Sequence, residues 1–313
     1  MNSQAKESAR RSFRSKIVEG TKGTVTDTRN FLNFILILNI FLFYYISYKA
    51  IRIGQAFLAG SSVIGLGSLA YYGLGFSNQS GIIESYSVWP SYVKQRINST
   101  YAYFGSGLAV TALSAVAVSR SPTLMRFAMA NSKMAILASF AVVIGSGILV
   151  RSIPYQDGRF GSKQIAWLAH AGLLGGFIAP LTLLGGPILL KAAWYTAGIV
   201  GGLSIVAATA PSDKFLNMSG PLAVCFGAVF AASIGSMFLP PTTRLGLSLY
   251  SISLYGGLVL FSMFMLYDTQ RMCKRAEQYH DYDPVNESIS IYMNTLNIFI
   301  RLATILSNGN RRK

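Results

Sequence analysis

Long apolar runs recur along the whole chain, and they restrict its fold more than any other feature does. Each run holds roughly 17 residues or more, which is enough for a helix to cross a hydrocarbon core about 30 Å thick. The runs are too long and too rich in Gly and Ala for barrel strands, whose signature is short alternation. We therefore predict an all-α, polytopic membrane protein. The predicted spans are 57–76, 101–119, 134–150, 165–184, 192–210, 219–239, 245–267 and 289–306, with a further apolar stretch at 31–48.

The charge composition supports this class and argues against nucleic acid as a partner. Only 12% of the 313 residues are charged, whereas soluble domains carry about 25%. The formal net charge is +16, but Lys and Arg stand mainly at the ends of the apolar runs and in the first thirty residues. Charges that flank spans orient a membrane protein, and no soluble fold is available to present a basic patch to nucleic acid. The expected partner is the lipid bilayer.

The N-terminal segment 1–30 is basic, rich in Ser and poor in acids. This composition is typical of a mitochondrial presequence, which forms a basic amphipathic helix. A basic cytosolic tail has the same composition, so both interpretations stay open. We divide the remaining flanks into an apolar stretch and linker at 31–56 and a basic tail at 307–313. Within residues 1–20 the basic residues are Lys6, Arg10, Arg11, Arg14 and Lys16, against Glu7 and Glu19.

The last apolar run carries a continuous polar stripe. Asp283 is a predicted N-cap and Pro284 the first helical residue. Polar residues then follow at steps of four, three, four and three, which places them on one side of a helix. The rest of the surface is apolar, so we predict a helix buried inside the bundle. A solvent-facing amphipathic helix, the alternative, needs a broader polar face with more Lys. The stripe consists of Ser290, Asn294, Asn297, Arg301 and Thr304.

The preceding run, which includes "FSMFMLYDTQRMC" at 261–273, has an acid close to its end. A short connector makes the last two runs antiparallel neighbours, so Asp268 and Asn294 are expected to meet. Two roles stay open for Asp268. An acid inside a span is by default an ionisable group on a water-filled pathway. An acid at the membrane interface would instead pair with Arg271 or Lys274.

The sequence gives little indication of a metal site, a redox centre or an enzyme active site. His170 lies inside an apolar run, and we favour an interhelical hydrogen bond over a polar pathway for it. With His280 so distant, the two histidines do not make a zinc site, and Cys225 and Cys273 form no CxxC motif. Neither HExxH nor GxSxG occurs, and a two-aspartate protease needs a second acid in the membrane. We expect no enzymatic activity and no cofactor.

Several strings resemble the transmembrane Bax inhibitor motif family: "MFMLYDTQ", "YDPVNESISIYMNTLNIFIRLATIL" and "RSIPY". Others, "AWYTAGIVGG", "APSDKFLNM", "GSMFLPPTT" and "LYGGLVLFSMF", are similar to the mitochondrial member of that family. The likeness runs from about Arg52 to the C-terminus, and 31–48 departs from it because the family has no comparably apolar segment there. The resemblance implies a seven-helix core at 101–306 with a central last helix, preceded by an extra membrane helix at 57–76.

For function, the resemblance implies calcium leak or calcium/proton exchange in the inner mitochondrial membrane. It also implies links to cristae organisation and apoptosis regulation, with proteins of those processes as partners. In the family, two acids share a proton between the sixth and seventh helices. The first maps onto Asp268 in "YDTQ", and the second position is Asn294 in "YMNTLN", where the family pattern reads "YMDTLN". Calcium and protons are thus the implied transported ions, with Asp268 and Asn294 as the implied calcium ligands.

The departure at Asn294 changes what we expect of transport. Two carboxylates about 3 Å apart cannot both ionise, and such a pair acts as a proton switch. Asn does not titrate, although its oxygen still coordinates calcium. We therefore expect weakened calcium/proton coupling; the open alternative is a structural or interaction protein of the same fold that does not transport. The predicted ion and proton pathway comprises Asp268, Asn294, Asn297, Arg301 and Ser290, with His170, Asp283 and Glu287 as further candidates.

Overall fold

The structure is a computed structural model that describes residues 89–130, 133–156, 160–209, 215–239 and 243–310. Within these ranges the chain is helical and forms no β-strand. The predicted N-terminal segments at 1–30, 31–56 and 57–76 lie outside the described residues. The first part of the predicted tail, up to Asn310, continues the last helix.

The helices coincide with the predicted apolar runs and extend beyond most of them. Among the described residues, six helical segments are long and apolar enough to cross a membrane, and Ala138–Ser152 adds a shorter apolar helix. The chain is therefore a multi-pass α-helical membrane protein. Its helices are α1 Ser91–Arg120, α2 Pro122–Ala128, α3 Lys133–Ser152, α4 Ser162–Ile178, α5 Gly186–Thr209, α6 Ser219–Phe238, α7 Arg244–Ser251, α8 Gly257–Gln278 and α9 Pro284–Asn310. Short 3₁₀ turns occupy Ala179–Leu184 and Leu216–Met218, and a π-helical turn at Ile252–Gly256 joins α7 to α8.

Prolines separate neighbouring spans where the sequence places them. Pro180 lies in the 3₁₀ turn that follows α4, and Pro187 lies in the first turn of α5. Between them, Gly185 has a φ of 93°, a left-handed conformation that favours glycine. Further along, α6 ends at Phe238 and α7 begins at Arg244, and Pro240 and Pro241 stand between them in the sequence. A proline removes a backbone N–H donor and restricts the residue before it, so it ends or interrupts a helix.

Helix α9 is the most buried of the described spans. In its 18-residue apolar stretch, 72% of the chain is buried inside the protein, whereas the same measure is 50% or less for each of the other candidate spans. Helices α1, α4, α5 and α8 all pack against it. The predicted buried last helix is thus confirmed, and its polar stripe faces protein rather than lipid.

Aromatic and hydroxyl contacts fix the rotation of α9 in the bundle. The Trp167 ring on α4 lies edge-on to Tyr292 on α9, with ring centroids 4.9 Å apart. Trp167 Nε1 donates a hydrogen bond to the carbonyl oxygen of Tyr103 on α1 at 3.2 Å. The hydroxyls of Tyr292 and Thr111, also on α1, are 2.6 Å apart. Buried hydrogen bonds of this kind specify one orientation, because breaking them leaves polar groups unsatisfied.

The connector between α8 and α9 is held by an arginine of α1. Arg96 donates hydrogen bonds to the carbonyl oxygens of Ala276, Tyr279 and His280 at 2.8–2.9 Å. Its guanidinium also lies over the Tyr282 ring, 5.5 Å from the centroid. These contacts satisfy carbonyls at the end of α8 and position the hairpin that carries the acid site.

Glycine packing occurs on α4, but not at the glycines that the sequence pattern favours. The four-residue spacing predicts close approach at Gly172 with Gly176 and at Gly198 with Gly202. A Cβ at Gly172 or Gly176 would have ordinary contacts, at 3.8 and 3.9 Å, and no described atom lies within 4 Å of one at Gly198. The close approach is at Gly175, which lies against the backbone of α1.

We expect Gly175→Ala to lower the free energy of unfolding by about 1–3 kcal/mol, because the added methyl overpacks the α1–α4 interface. A Cβ at Gly175 would lie 2.7 Å from Ser114 Cβ and 3.0 Å from Thr111 Cα. The measurement is thermal unfolding in detergent. Gly172→Ala is the matched control, since its Cβ has space and Ala favours the helix. Equal melting temperatures for the two variants would contradict this packing.

Candidate ion site between the last two helices

An acid and an amide meet where α8 and α9 face each other. Asn294 Nδ2 donates a hydrogen bond to Asp268 Oδ2 at 2.8 Å, so the predicted meeting is confirmed. The Asp268 side chain is 12% exposed, and Asn294 is buried. Helix α8 continues to Gln278, so Asp268 lies inside the helix rather than at its end. This position suits a polar site within the bundle.

The interfacial pairing of Asp268 is present as well, but it is loose. Arg271 Nη1 lies 3.9 Å from Asp268 Oδ1, and the Arg271 side chain is 39% exposed. An exposed pair with such a separation contributes about 0–1 kcal/mol. Asp268 therefore has one short hydrogen bond inside the bundle and one weak ion pair toward the connector.

Two further acids lie at the start of α9, at the connector end of the bundle. Glu287 Oε1 pairs with Arg275 Nη1 at 2.9 Å. Asp283 Oδ2 pairs with Lys163 Nζ at 2.5 Å, while its Oδ1 accepts two backbone N–H groups of the first turn at 3.0 Å. The predicted N-cap is thus confirmed, and Asp283 is committed to holding the helix start. We define this set of charged residues, together with Arg271, as the mouth of the site.

Arg151 at the end of α3 also faces the mouth, and sequence reasoning did not assign it a role. Its Nη2 donates to Ser290 Oγ at 3.4 Å. Its charge interacts with those of Glu287 and Asp268. The string "RSIPY" contains this arginine, but no spacing rule links the end of α3 to α9. The structure thus brings a positive charge from a third helix to the acid site.

Deeper in the bundle, the stripe ends in a guanidinium that is 0% exposed. Arg301 Nη1 donates to the carbonyl oxygen of Asn297 at 3.0 Å and to its Oδ1 at 2.8 Å. Asn297 Nδ2 donates to the carbonyl oxygen of Met293 at 2.8 Å. The Phe261 ring of α8 covers the guanidinium, with Cζ 4.5 Å from the ring centroid. The inner half of the stripe is therefore buried, and most of its hydrogen bonds are made within α9.

His170 belongs to a different part of the bundle. Its Nδ1 lies 2.8 Å from Ser146 Oγ, which links α4 to α3. The favoured interpretation, an interhelical hydrogen bond, is confirmed. Among the described residues, no hydrogen bond or ion pair joins His170 to the Asp268–Asn294 pair.

The Asp268–Asn294 pair offers fewer oxygen donors than a calcium ion takes. Calcium takes 6–8 oxygen ligands and accepts both carboxylate and amide oxygens. Asp268 supplies one carboxylate, and the Asn294 oxygen remains beside it. Within the described ranges, no group of three His, Cys, Asp or Glu residues is close enough to hold a metal ion. A calcium ion at this position would need water for most of its ligands.

Comparisons with known proteins cover the helices that hold this site. A family model described as "Inhibitor of apoptosis-promoting Bax1" matches residues 93–312. Growth hormone-inducible transmembrane protein of Rattus norvegicus is 57% identical over 271 residues, which cover 85% of this chain and 78% of that protein. Bax inhibitor 1 of the same organism is 26% identical over 238 residues, covering 75% and 94%. An uncharacterized membrane protein of Vibrio cholerae is 28% identical over 221 residues, covering 68% and 89%.

Proposed function

Because the chain belongs to the family of inhibitors of apoptosis-promoting Bax1, we propose that it is a calcium-permeable transporter or leak pathway of the inner mitochondrial membrane. The observation that carries this proposal is the Asp268–Asn294 pair inside the α8–α9 hairpin. An acid within a span marks a pathway for ions or protons by default. The site lies in a multi-pass bundle, which gives such a pathway two compartments to connect.

Calcium enters from the mouth in this proposal. The carboxylates of Glu287 and Asp268 attract the cation, and Asp268 with the Asn294 oxygen replaces part of its hydration shell. Arg151 opposes entry, because its charge competes for the same two acids. In this proposal Arg151 keeps the site closed to cations while its charge acts on Asp268 and Glu287.

Coupling to protons is weak in this mechanism, since the pair contains one titratable group instead of two. A single carboxylate neutralises half the charge of a calcium ion, so two protons cannot replace the ion at this position. Glu287 is near enough to Asp268 for their charges to interact, but Arg275 pairs with it at 2.9 Å. Transport then has the character of a leak more than of an antiport.

We expect residues 1–30 to direct a fused fluorescent reporter to mitochondria, because the segment is basic and poor in acids. The measurement is co-localisation with a mitochondrial dye in cells. A control fusion with Gln in place of the Lys and Arg residues keeps the length and removes the charge, and it is expected to stay cytosolic. A native segment that leaves the reporter in the cytosol or sends it to another membrane would argue against the inner mitochondrial membrane.

The second candidate function is a structural or interaction role in cristae organisation or apoptosis regulation without transport. Asn294 favours it, because the second acid of the family pattern is absent. The test that separates the two functions is calcium entry into liposomes that contain the purified full-length protein. Entry faster than in protein-free liposomes supports the transporter, and equal rates support the structural role.

A further inference from the structure

Arg301 lies on the same helix interface as the acid–amide pair, two turns further into the bundle. On α9 it follows Asn294 by seven residues, and on α8 the covering ring of Phe261 precedes Asp268 by seven. Two helical turns correspond to about 10 Å. Since α8 and α9 are antiparallel, the Arg301–Phe261 contact sits directly below the Asp268–Asn294 pair.

The charge of Arg301 has no opposite charge beside it in the part of the chain that the structure describes. No described carboxylate pairs with it, its Nη2 has no hydrogen-bond partner there, and Arg stays protonated in proteins. A buried charge is costly to stability unless it is paired and fully hydrogen-bonded. If the residue at this position only packed the helices together, an apolar side chain would stabilise the bundle more than Arg301 does.

The backbone of α8 packs closely against the guanidinium at Gly257. A Cβ at Gly257 would lie 2.6 Å from Nη2 and 2.7 Å from Cζ, so the absence of a side chain at Gly257 is what accommodates Arg301. Its Nε reaches the Ser253 carbonyl of the π-helical turn at 3.5 Å. Nη1 meanwhile occupies the Asn297 oxygen, which is the next acceptor along the stripe. A cation leaving Asp268 thus meets a fixed positive charge and an acceptor already in use.

We propose that Arg301 is an electrostatic plug that closes the polar stripe to cations below Asp268, with Phe261 as its lid. The inference rests on the proposed calcium pathway and specifies where that pathway is blocked. Fixed positive charges exclude cations from narrow pores in the same way. Flux would then require the guanidinium to move aside, so Arg301 limits the rate while Asp268 binds the ion.

The test is calcium entry into dye-loaded liposomes with full-length protein. Arg301→Met removes the charge and keeps a side chain of similar length, and we expect Asp268-dependent calcium flux to increase by about tenfold or more, because a full charge is removed from the path. Arg301→Lys keeps the charge and should suppress most of that gain. Arg120→Met, which removes an exposed arginine from the end of α1, should leave flux at the wild-type level.

The double variant Arg301→Met with Asp268→Asn separates an opened pathway from a damaged bundle. If the added flux passes through the site, the second substitution abolishes it. Added flux that persists in the double variant overturns the inference, and so does leakage of a trapped small dye from liposomes with Arg301→Met. Flux within twofold of wild type in Arg301→Met also overturns it, even where Asp268→Asn lowers flux and the proposed function stands. If Asp268→Asn leaves flux unchanged both in wild type and in Arg301→Met, the result contradicts the proposed function, and the proposed role of Arg301 is then contradicted as well.

Folding of the variants is checked by melting temperature and by gel filtration before reconstitution. Replacing a buried charge by an apolar residue is often neutral or stabilising, so Arg301→Met should be at least as stable as wild type. Arg301→Gln is the second neutral variant, since it retains a donor for Asn297. A gain in flux with Gln and none with Lys supports the plug, whereas equal flux in both overturns it.

Discussion

Asp268→Asn is expected to reduce calcium flux by roughly tenfold or more while protein abundance stays nearly unchanged. The substitution removes the negative charge of the pair, and charge count sets calcium affinity in oxygen-ligand sites. An amide is nearly the same size as a carboxylate, so the contact between α8 and α9 keeps its shape. The measurement is the initial rate of calcium entry into liposomes at matched protein content.

An exposed acid of the neighbouring connector provides the control for this experiment. Asp281→Asn removes the same charge from the α8–α9 connector and is expected to leave flux unchanged. If Asp268 acted only through its loose ion pair with Arg271, both substitutions would have little effect. Flux at the wild-type level in Asp268→Asn would therefore contradict the interpretation that Asp268 lies on the ion pathway.

The membrane spans and the polar pair could be predicted from the sequence because they depend on local pattern. Apolar length specifies where helices cross the bilayer, and the described helices contain or overlap the predicted runs. The meeting of Asp268 and Asn294 needed one more step, a short connector that makes α8 and α9 antiparallel neighbours. The steps of the polar stripe predicted which side of α9 faces inward, and the burial of Asn297, Arg301 and Thr304 agrees.

Contacts between helices that are distant in the chain could not be predicted in the same way. Gly175 rather than Gly172 lies against the α1 backbone, and the rotation of α4 that this requires cannot be read from the spacing of its glycines. Arg151 reaches the mouth because α3 ends beside α9, which no periodicity in either segment reveals. The contact of the Arg301 guanidinium with Gly257 and with the π-helical turn likewise joins segments that local pattern does not connect.

Asn294→Asp is expected to convert a weakly coupled leak into flux that depends steeply on pH and on a proton gradient. It places a second carboxylate where the amide now donates to Asp268 at 2.8 Å. Two carboxylates about 3 Å apart cannot both ionise, so the pair keeps one proton until calcium displaces it. From this state one calcium ion displaces one proton, and where both carboxyls are protonated, at lower pH, it displaces two.

The measurement is calcium uptake against an imposed proton gradient, with wild type and variant in the same liposome preparation. Asn308→Asp adds an acid at an exposed position near the other end of α9, and it should leave the pH response of wild type unchanged. The double variant Asp268→Asn with Asn294→Asp exchanges the two side chains and has one acid again. It should therefore return to weak coupling, which separates the effect of a pair from the effect of any added charge.

Tight coupling in the wild type would contradict this account and would assign the second proton to another acid. Glu287 is the first to test, because its charge already interacts with that of Asp268, although Arg275 pairs with it at 2.9 Å. Glu287→Gln would then abolish coupling and leave the leak in place. Absence of flux in both wild type and Asn294→Asp would instead favour the structural role, since restoring the acid pair is the smallest change that returns this chain to the family pattern.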